Sequence, residues 1–208
     1  MIVDERIITF INSLDTKNSE ILEDIEREAL ADNVPIIRRE MQSFLKVLLM
    51  VKKPMRVLEV GTAVGFSALL MSEYVPEECA ITTIENYEKR IPIARQNFVR
   101  AGKEKKITLL EGDAMDVLKT LEGPYDFIFM DAAKGQYIHY LPEILRLLAK
   151  GGILVSDNVM QDGDVIESRF AVERRDRTIH ARMREYLYEL KHNDALVTSI
   201  IPLGDGVA

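Results

Sequence analysis

A single cysteine, Cys79, stands in a chain of 208 residues. That excludes an internal disulfide framework and any zinc site built on several thiolates. Long apolar runs are missing too: none approaches the roughly 18 residues needed to cross a bilayer. The opening stretch MIVDERIITFINS carries early acids and no small-residue cleavage site, so it does not read as a secretory signal. A cytoplasmic setting is therefore expected. Histidine is scarce, and His139, His180 and His192 read as ordinary helix-surface residues rather than metal ligands.

Positive charge is also short. Lys and Arg number 27 against 34 Asp and Glu, a net charge of −7, which by itself argues against a nucleic-acid partner. The distribution is uneven, however. Residues 38–56 hold Arg38, Arg39, Lys46, Lys52, Lys53 and Arg56 against Glu40 alone. Residues 169–184 hold Arg169, Arg174, Arg175, Arg177, Arg182 and Arg184 against Glu173 and Asp176. A solvated helix face accounts for either cluster; so does a surface that meets phosphates.

What is present is the material of one α/β domain over residues 1–208. Hydrophobic residues make up 47% and charged residues 29%, an ordinary soluble balance, and the length suffices for a full core. Residues 1–54 read as helices only. Ile7, Ile8, Ile11 and Leu14 recur at helical spacing. Asn18 or Ser19 can cap a second helix to about Ala31, with Ile21, Leu22 and Ile25 inward. Pro35 precedes a third with Met41, Phe44, Leu45, Leu48 and Leu49 inward, and Pro54 ends it. From Met55 short apolar runs alternate with helical stretches. Strands are expected at 55–60, 80–84, 107–110, 125–130 and 152–155, and helices at about 65–75, 87–101, 114–121 and 137–149. Such alternation implies a parallel sheet with right-handed crossovers. A long helix is expected at about 172–193 and a further strand near 195–201. The closing GDGVA looks like the start of one more.

The first strand runs into VLEVGTAVGFSALL (57–70). Glycines there suit a sharp turn with a close approach, at Gly61 and Gly65. The spacing Glu59-x-Gly61-x-x-x-Gly65 is not the Gly-x-Gly-x-x-Gly of dinucleotide enzymes, so an NAD-dependent oxidoreductase is disfavoured. The acid before the first glycine would repel a pyrophosphate but suits the sulfonium and ammonium of S-adenosylmethionine. A plain tight turn explains the same pattern. Glu85 ends the second strand and can accept ribose hydroxyls. Asp113-Ala114 follows the third; Asp113 could reach adenine, or simply cap a helix.

Two more clusters follow the fourth and fifth strands: MDAAKGQY (130–137) and VSDNVM (155–160). Asp131, Asp157 and Asn158 supply three hard oxygens, which suit magnesium, manganese or calcium rather than zinc. Lys134 can reach the same mouth, where a cation would lower its pKa toward a useful base. A solvated lysine paired with an acid is the plain alternative. A non-catalytic nucleotide-binding module would predict erosion of these positions, yet all four are present.

The set LEVGTAVGFSA, Glu85, GDA, DAAKGQY and SDN, in this order, resembles the metal-dependent O-methyltransferases related to catechol and caffeoyl-CoA methyltransferases. The resemblance spans nearly the whole chain. It implies a class I methyltransferase Rossmann-like sheet of seven strands, the last antiparallel, flanked by helices, with N-terminal helices and a homodimer. It implies S-adenosylmethionine contacts at Met41, Glu59, Gly61, Ser67, Glu85, Asp113, Ala114 and Asp131. It implies a metal, magnesium first, on Asp131, Asp157 and Asn158, with Lys134 as general base. Family members continue past the GDG segment, so only the start of the last strand is expected. Within the family, PIIRREMQSFL (35–45), ERRDRTIHARMREYL (173–187) and PLGDGVA are most similar to the bacterial branch that methylates 5-hydroxyuridine at the tRNA wobble position. Arg174, Arg175 and Arg177 would then meet RNA. Bacterial relatives that methylate small phenols keep the alternative of a catechol-like substrate open. A catechol and 5-hydroxyuridine both offer two adjacent oxygens, so the chemistry alone does not choose between them.

Overall fold

The structure is a computed structural model, and it describes residues 2–208. Three N-terminal helices come first: α1 (Glu5–Ser13), α2 (Glu20–Ala31) and α3 (Arg39–Lys52). Strands and helices then alternate: β1 (Arg56–Val60), α4 (Phe66–Glu73), β2 (Ala80–Glu85), α5 (Ile91–Arg100), β3 (Ile107–Glu111), α6 (Ala114–Thr120), β4 (Tyr125–Met130), α7 (Tyr137–Leu147), β5 (Leu148–Ser156) and α8 (Arg177–His192). Two 3₁₀ segments, Lys134–Gln136 and Gln161–Ile166, lie beside the strand ends of β4 and β5.

The alternation of side chains along each strand builds a layer on each face. Val57, Phe127 and Phe129 point into one core with Leu22, Leu45, Leu49 and Phe66 of the helices. Leu58, Val60, Ile128 and Met130 point into the other with Ile144, Met183 and Tyr186. Both faces of the sheet are covered, as a parallel sheet requires.

The strand order is β3-β2-β1-β4-β5, and every pairing is parallel. This corrects the expectation of seven strands with an antiparallel last one: the sheet has five. Residues 195–200 form no strand. Thr198 instead bonds α8, its hydroxyl donating to the Leu190 carbonyl and its carbonyl accepting from the Lys191 ammonium. Ile201 meets Val207 only in an isolated antiparallel bridge, and Gly204 and Gly206 between them adopt positive φ, which interrupts extended pairing. The closing residues still have a place. Ala208 exchanges both backbone hydrogen bonds with Ser156, and Gly206 accepts from Val159, so this segment lies against the end of β5.

Smaller differences have local causes. The long C-terminal helix starts at Arg177, because two hydrogen-bonded turns occupy 168–176. Ser19 sits at the start of α2, but its hydroxyl donates to Glu73 rather than capping the helix. His180 is not a surface residue: it is buried, with Nε2 against the Glu167 carbonyl. The α1 stripe is amphipathic as read, yet Ile7, Phe10, Ile11 and Leu14 all remain exposed. Among the described residues no helix is long and apolar enough to cross a membrane.

Candidate active site at the carboxyl edge of the sheet

The strand order reverses around β1, between β2 and β4. In an open α/β sheet the crevice for a ligand opens there, at the carboxyl ends of the strands. A cavity of about 520 Å³ occupies this place. Met41, Gly61, Ser67, Glu85, Ala114, Asp131, Lys134, Asp157 and Asn158 all line it. Residues spread over more than a hundred positions therefore meet at one mouth.

Gly61 is required by the turn after β1. Its φ is +105°, and a methyl group there would collide with the backbone carbonyl of Asp131. What approaches this glycine most closely is thus the β4 loop, and the approach sets Asp131 beside the first turn. Glu85 is held firmly at the end of β2. One carboxylate oxygen accepts the Ala63 N–H at 2.7 Å, and the other accepts Asn86 and Tyr87 N–H at 3.0 and 2.9 Å. Its spare lone pairs face the cavity with little rotational freedom left.

Glu59 stands apart from the lining residues. It is fully buried beneath the cavity and paired in register with Thr83. While Glu59 is ionised Thr83 donates to its carboxylate, and the Thr62 hydroxyl, 2.5 Å from that of Thr83, then donates to Thr83. A chain of hydroxyls therefore links the cavity wall at Thr62 to a carboxylate below it. Burial raises the Glu59 carboxyl to about 7, against the opposing pull of the Ser67 and Thr83 hydroxyls; the charges of Asp131 and Glu85 add to the rise. Asp113 is also displaced from the main cavity. It caps α6, accepting the Met115 N–H at 2.9 Å, and lines an adjoining hollow with Asn86 and Tyr140.

Asp131, Asp157 and Asn158 come together as the sequence spacing suggests. Burial raises the Asp131 carboxyl, with the Lys134 charge opposing. Burial raises Asp157 to about 7, and the charge of Asp131 is the next cause. Lys134 faces three acids, Asp131, Asp157 and Asp205, and lowers each of them. Its ammonium has no hydrogen-bond or ion-pair partner among the described residues. Among the described residues no three His, Cys, Asp or Glu side chains form a metal cluster; the set here is two carboxylates and an amide. That donor set is all oxygen, and its uncompensated charge is what a divalent cation relieves. The residues therefore fit such a metal.

Several supporting groups went unread in the sequence. Tyr137 is fully buried, and its hydroxyl lies 3.0 Å from the Met130 carbonyl and 3.2 Å from that of Asp157, while accepting the Ala132 N–H at 3.2 Å. One phenol thus ties the Asp131 loop to the Asp157 loop. Tyr186 stacks edge-on against Tyr137 and bonds Ser156 at 2.6 Å. Asp205 and Arg38 also line the cavity, from the closing segment and from the entry to α3. The only signal for Tyr137 was its place in DAAKGQY, since a phenol read as core still needs a partner for its hydroxyl.

The three arginines singled out for RNA differ in placement. Arg174 is exposed with no side-chain partner among the described residues. Arg175 is exposed and pairs with Glu173 and Asp176 at 3.0 and 3.3 Å. Arg177 is half-buried, and its Nε donates to the Val172 carbonyl at 3.2 Å.

Comparison with known proteins points the same way. Residues 12–208 match the family described as O-methyltransferase. The caffeoyl-CoA O-methyltransferase 2 of Populus trichocarpa is 33% identical over 181 residues, covering 79% of this chain and 69% of that protein. The catechol O-methyltransferase of Niastella koreensis is 35% identical over 128 residues, covering 60% of this chain and 58% of that protein. The one from Mycobacterium tuberculosis is 36% identical over 112 residues, covering 53% and 51%. The matches thus span little more than half the length of these catechol relatives. In structure, the SAH-bound methyltransferase PaMTH1 of Podospora anserina superposes with a TM-score of 0.88 at 27% identity, over 98% of this chain and 92% of that one.

Proposed function

Because the chain belongs to the O-methyltransferase family, we propose that it transfers the methyl group of S-adenosylmethionine to one of two adjacent oxygens of its substrate, with a divalent metal, magnesium first, at Asp131, Asp157 and Asn158. The observation that carries this reading is the acid-lined cavity. Asp131, Asp157 and Glu85 line it and Glu59 lies beneath, and burial raises the carboxyls of Asp131, Asp157 and Glu59. Such a wall favours cationic ligands.

Bound S-adenosylmethionine supplies an electrophilic methyl group on a sulfonium, and a bound metal supplies charge that favours the ionised form of a hydroxyl. The chain's own residues do the rest. Glu85, fixed by three backbone N–H groups, is placed to accept ribose hydroxyls. Ala114 and Met41 offer walls to the adenine and methionine ends, and Ser67 and the Gly61 turn close around the cofactor. Glu59 acts on that turn through Thr83 and Thr62. Lys134, with no hydrogen-bond partner among the described residues yet facing the acids, takes the proton from the reacting hydroxyl. Holding both reactants in one cavity supplies the gain from proximity.

For the substrate, we take 5-hydroxyuridine at the tRNA wobble position, which would become 5-methoxyuridine. Arg174, exposed with no side-chain partner among the described residues, and the exposed Arg175 support contact with phosphates, while Arg177 serves to brace its own loop. The catechol relatives favour a second reading, a small phenol. The test offers purified enzyme a tRNA containing 5-hydroxyuridine beside a simple catechol, with S-adenosylmethionine and magnesium. Methylated tRNA is expected. Efficient methylation of catechol with none of tRNA establishes the second reading. The chain is taken to act in the cytoplasm, as one domain and as a homodimer; the exposed apolar stripe of α1 supports the last, and light scattering checks it.

A further inference from the structure

The segment between the second 3₁₀ turn and α8 is anchored at both ends and bare in the middle. At its start the His180 ring holds the Glu167 carbonyl at 3.1 Å. At Val172 it is pinned again: that side chain is buried, and Arg177 donates to its carbonyl. Between these anchors Ser168 and Ala171 close a hydrogen-bonded turn, 2.9 Å from N to O. Phe170 occupies the third position of that turn and is 87% exposed, the most exposed aromatic residue among those described. A solvent-facing phenylalanine on a braced turn is not a packing residue.

Its position relates to the cavity. The preceding 3₁₀ turn is tied to the cavity rim, where Asp162 donates its N–H to Asp205. The following helix, α8, packs on the 3₁₀ turn that bears Lys134: Arg182 donates to the Gly135 carbonyl at 3.0 Å. The turn therefore springs from supports on two sides of the substrate mouth. Within the turn the one charge is Arg169, which stands between Glu167 and Glu173 along the chain. Arg169 and Arg174 are exposed and have no side-chain partner among the described residues.

An exposed ring beside Arg169, with Arg174 four residues on and neither guanidinium paired to a side chain among the described residues, fits a ligand that carries both π-faces and phosphates. Single-stranded nucleic acid is such a ligand: its splayed bases stack on aromatic side chains while cations track the backbone. We propose that the Arg169–Phe170 turn is a stacking platform for an unpaired base next to the nucleotide that enters the cavity, with Arg169 on an adjoining phosphate. This rests on the tRNA reading above and names a contact that it lacks.

The test compares an anticodon stem-loop containing 5-hydroxyuridine with free 5-hydroxyuridine as methyl acceptors. Phe170→Ala is expected to raise the Michaelis constant for the stem-loop by roughly 5- to 150-fold. The constant for the nucleoside stays as in the wild type, since the nucleoside has no neighbouring base. Phe170→Trp retains stem-loop binding, because any aromatic face can stack. Arg169→Gln gives a smaller rise that shrinks as salt increases. An unchanged stem-loop constant in Phe170→Ala overturns the proposal alone, provided the wild type methylates the stem-loop. A wild type that methylates a catechol and no RNA overturns the tRNA reading and this one with it. Loss of a dimer in Phe170→Ala, seen by sedimentation, assigns the ring to a contact between copies and overturns the platform.

Discussion

The two ends of the same five strands treat their charges differently. At the amino edge Asp126, Arg56 and Lys106 are each answered by a partner. Asp126 accepts the Met55 and Arg56 N–H groups at 2.8 and 3.0 Å. Arg56 lies over the Tyr125 ring and donates to the Pro124 and Glu122 carbonyls. Lys106 donates to the Pro76 carbonyl. At the carboxyl edge, acids are gathered without enough cations. Glu59, Asp131, Asp157 and Asp205 all have raised carboxyls, and Lys134 faces three of them with no bond to any. Positive φ at non-glycine residues is more frequent at the carboxyl edge, at Ala63, Asn158, Gln161 and Asp162, although Lys53 adopts it at the amino edge, just before β1. One edge is arranged for stability. The other gathers acids whose carboxyls burial pushes toward protonation.

Substitutions at the two edges should separate activity from stability. The largest effect is expected for Lys134→Ala, which lowers the turnover number by about 10²–10⁴-fold while leaving the dissociation constant of S-adenosylmethionine nearly unchanged. Single-turnover kinetics with calorimetric titration of the cofactor checks both halves. A near-normal turnover number removes Lys134 from the role of base.

Next comes Glu59→Gln, which should stabilise the ligand-free protein. A carboxyl raised from 4.5 to about 7 by burial favours its protonated form in the fold. Below about pH 4.5 it is protonated in both folded and unfolded states, and it costs nothing. Between 4.5 and 7 the folded state keeps a proton that the unfolded state has lost, so stability falls as pH rises. Above about 7 the whole cost is present, roughly 3 kcal/mol. Urea melts at pH 8 should show the variant more stable by an amount of that order, and melts near pH 4.5 should show little difference. Equal gains at both values would mean that charge is not the cause.

Tyr137→Phe should cost about 1–3 kcal/mol, since the lost hydroxyl takes the partner from the Ala132 N–H and the Asp157 carbonyl, while the Met130 carbonyl keeps the Asp157 N–H. It should weaken activity as well, because both acid loops hang on that phenol. Asp126→Ala should cost about 1 kcal/mol and leave turnover untouched, as its two backbone donors are partly exposed to water. If Asp126→Ala slows turnover as strongly as Tyr137→Phe, the division between the edges does not hold.

The sequence made the site easier to read than the frame around it. Asp131, Lys134, Asp157 and Asn158 were legible because a parallel sheet brings every strand end to one edge, so position along the chain suffices. Gly61 was legible as a turn, but its reason was not: the close neighbour is the Asp131 carbonyl, a contact between distant residues. Glu59 and Asp113 lie just before and just after a turn, and only the fold decides which acids face the cavity. Thr62, Thr83 and Tyr137 carry ordinary core signatures, and their roles come from cross-strand register and from loops that meet only in space. The count of strands failed for a related reason. An apolar stretch such as 195–201 has strand propensity, but a strand exists only where a partner edge accepts its hydrogen bonds, and here Ala195 and Leu196 bond back to Asn193, Thr198 bonds α8, and Ile201 meets Val207 alone.

The central claim is that the carboxyl edge needs a divalent cation to transfer a methyl group to oxygen. Its most direct test is methyl transfer from labelled S-adenosylmethionine, to whichever acceptor the enzyme uses, after exhaustive chelation and again after magnesium is restored. The account predicts that chelation abolishes transfer, that magnesium restores it, and that Asp157→Ala is not rescued at the same magnesium concentration. Full transfer in excess chelator would contradict it.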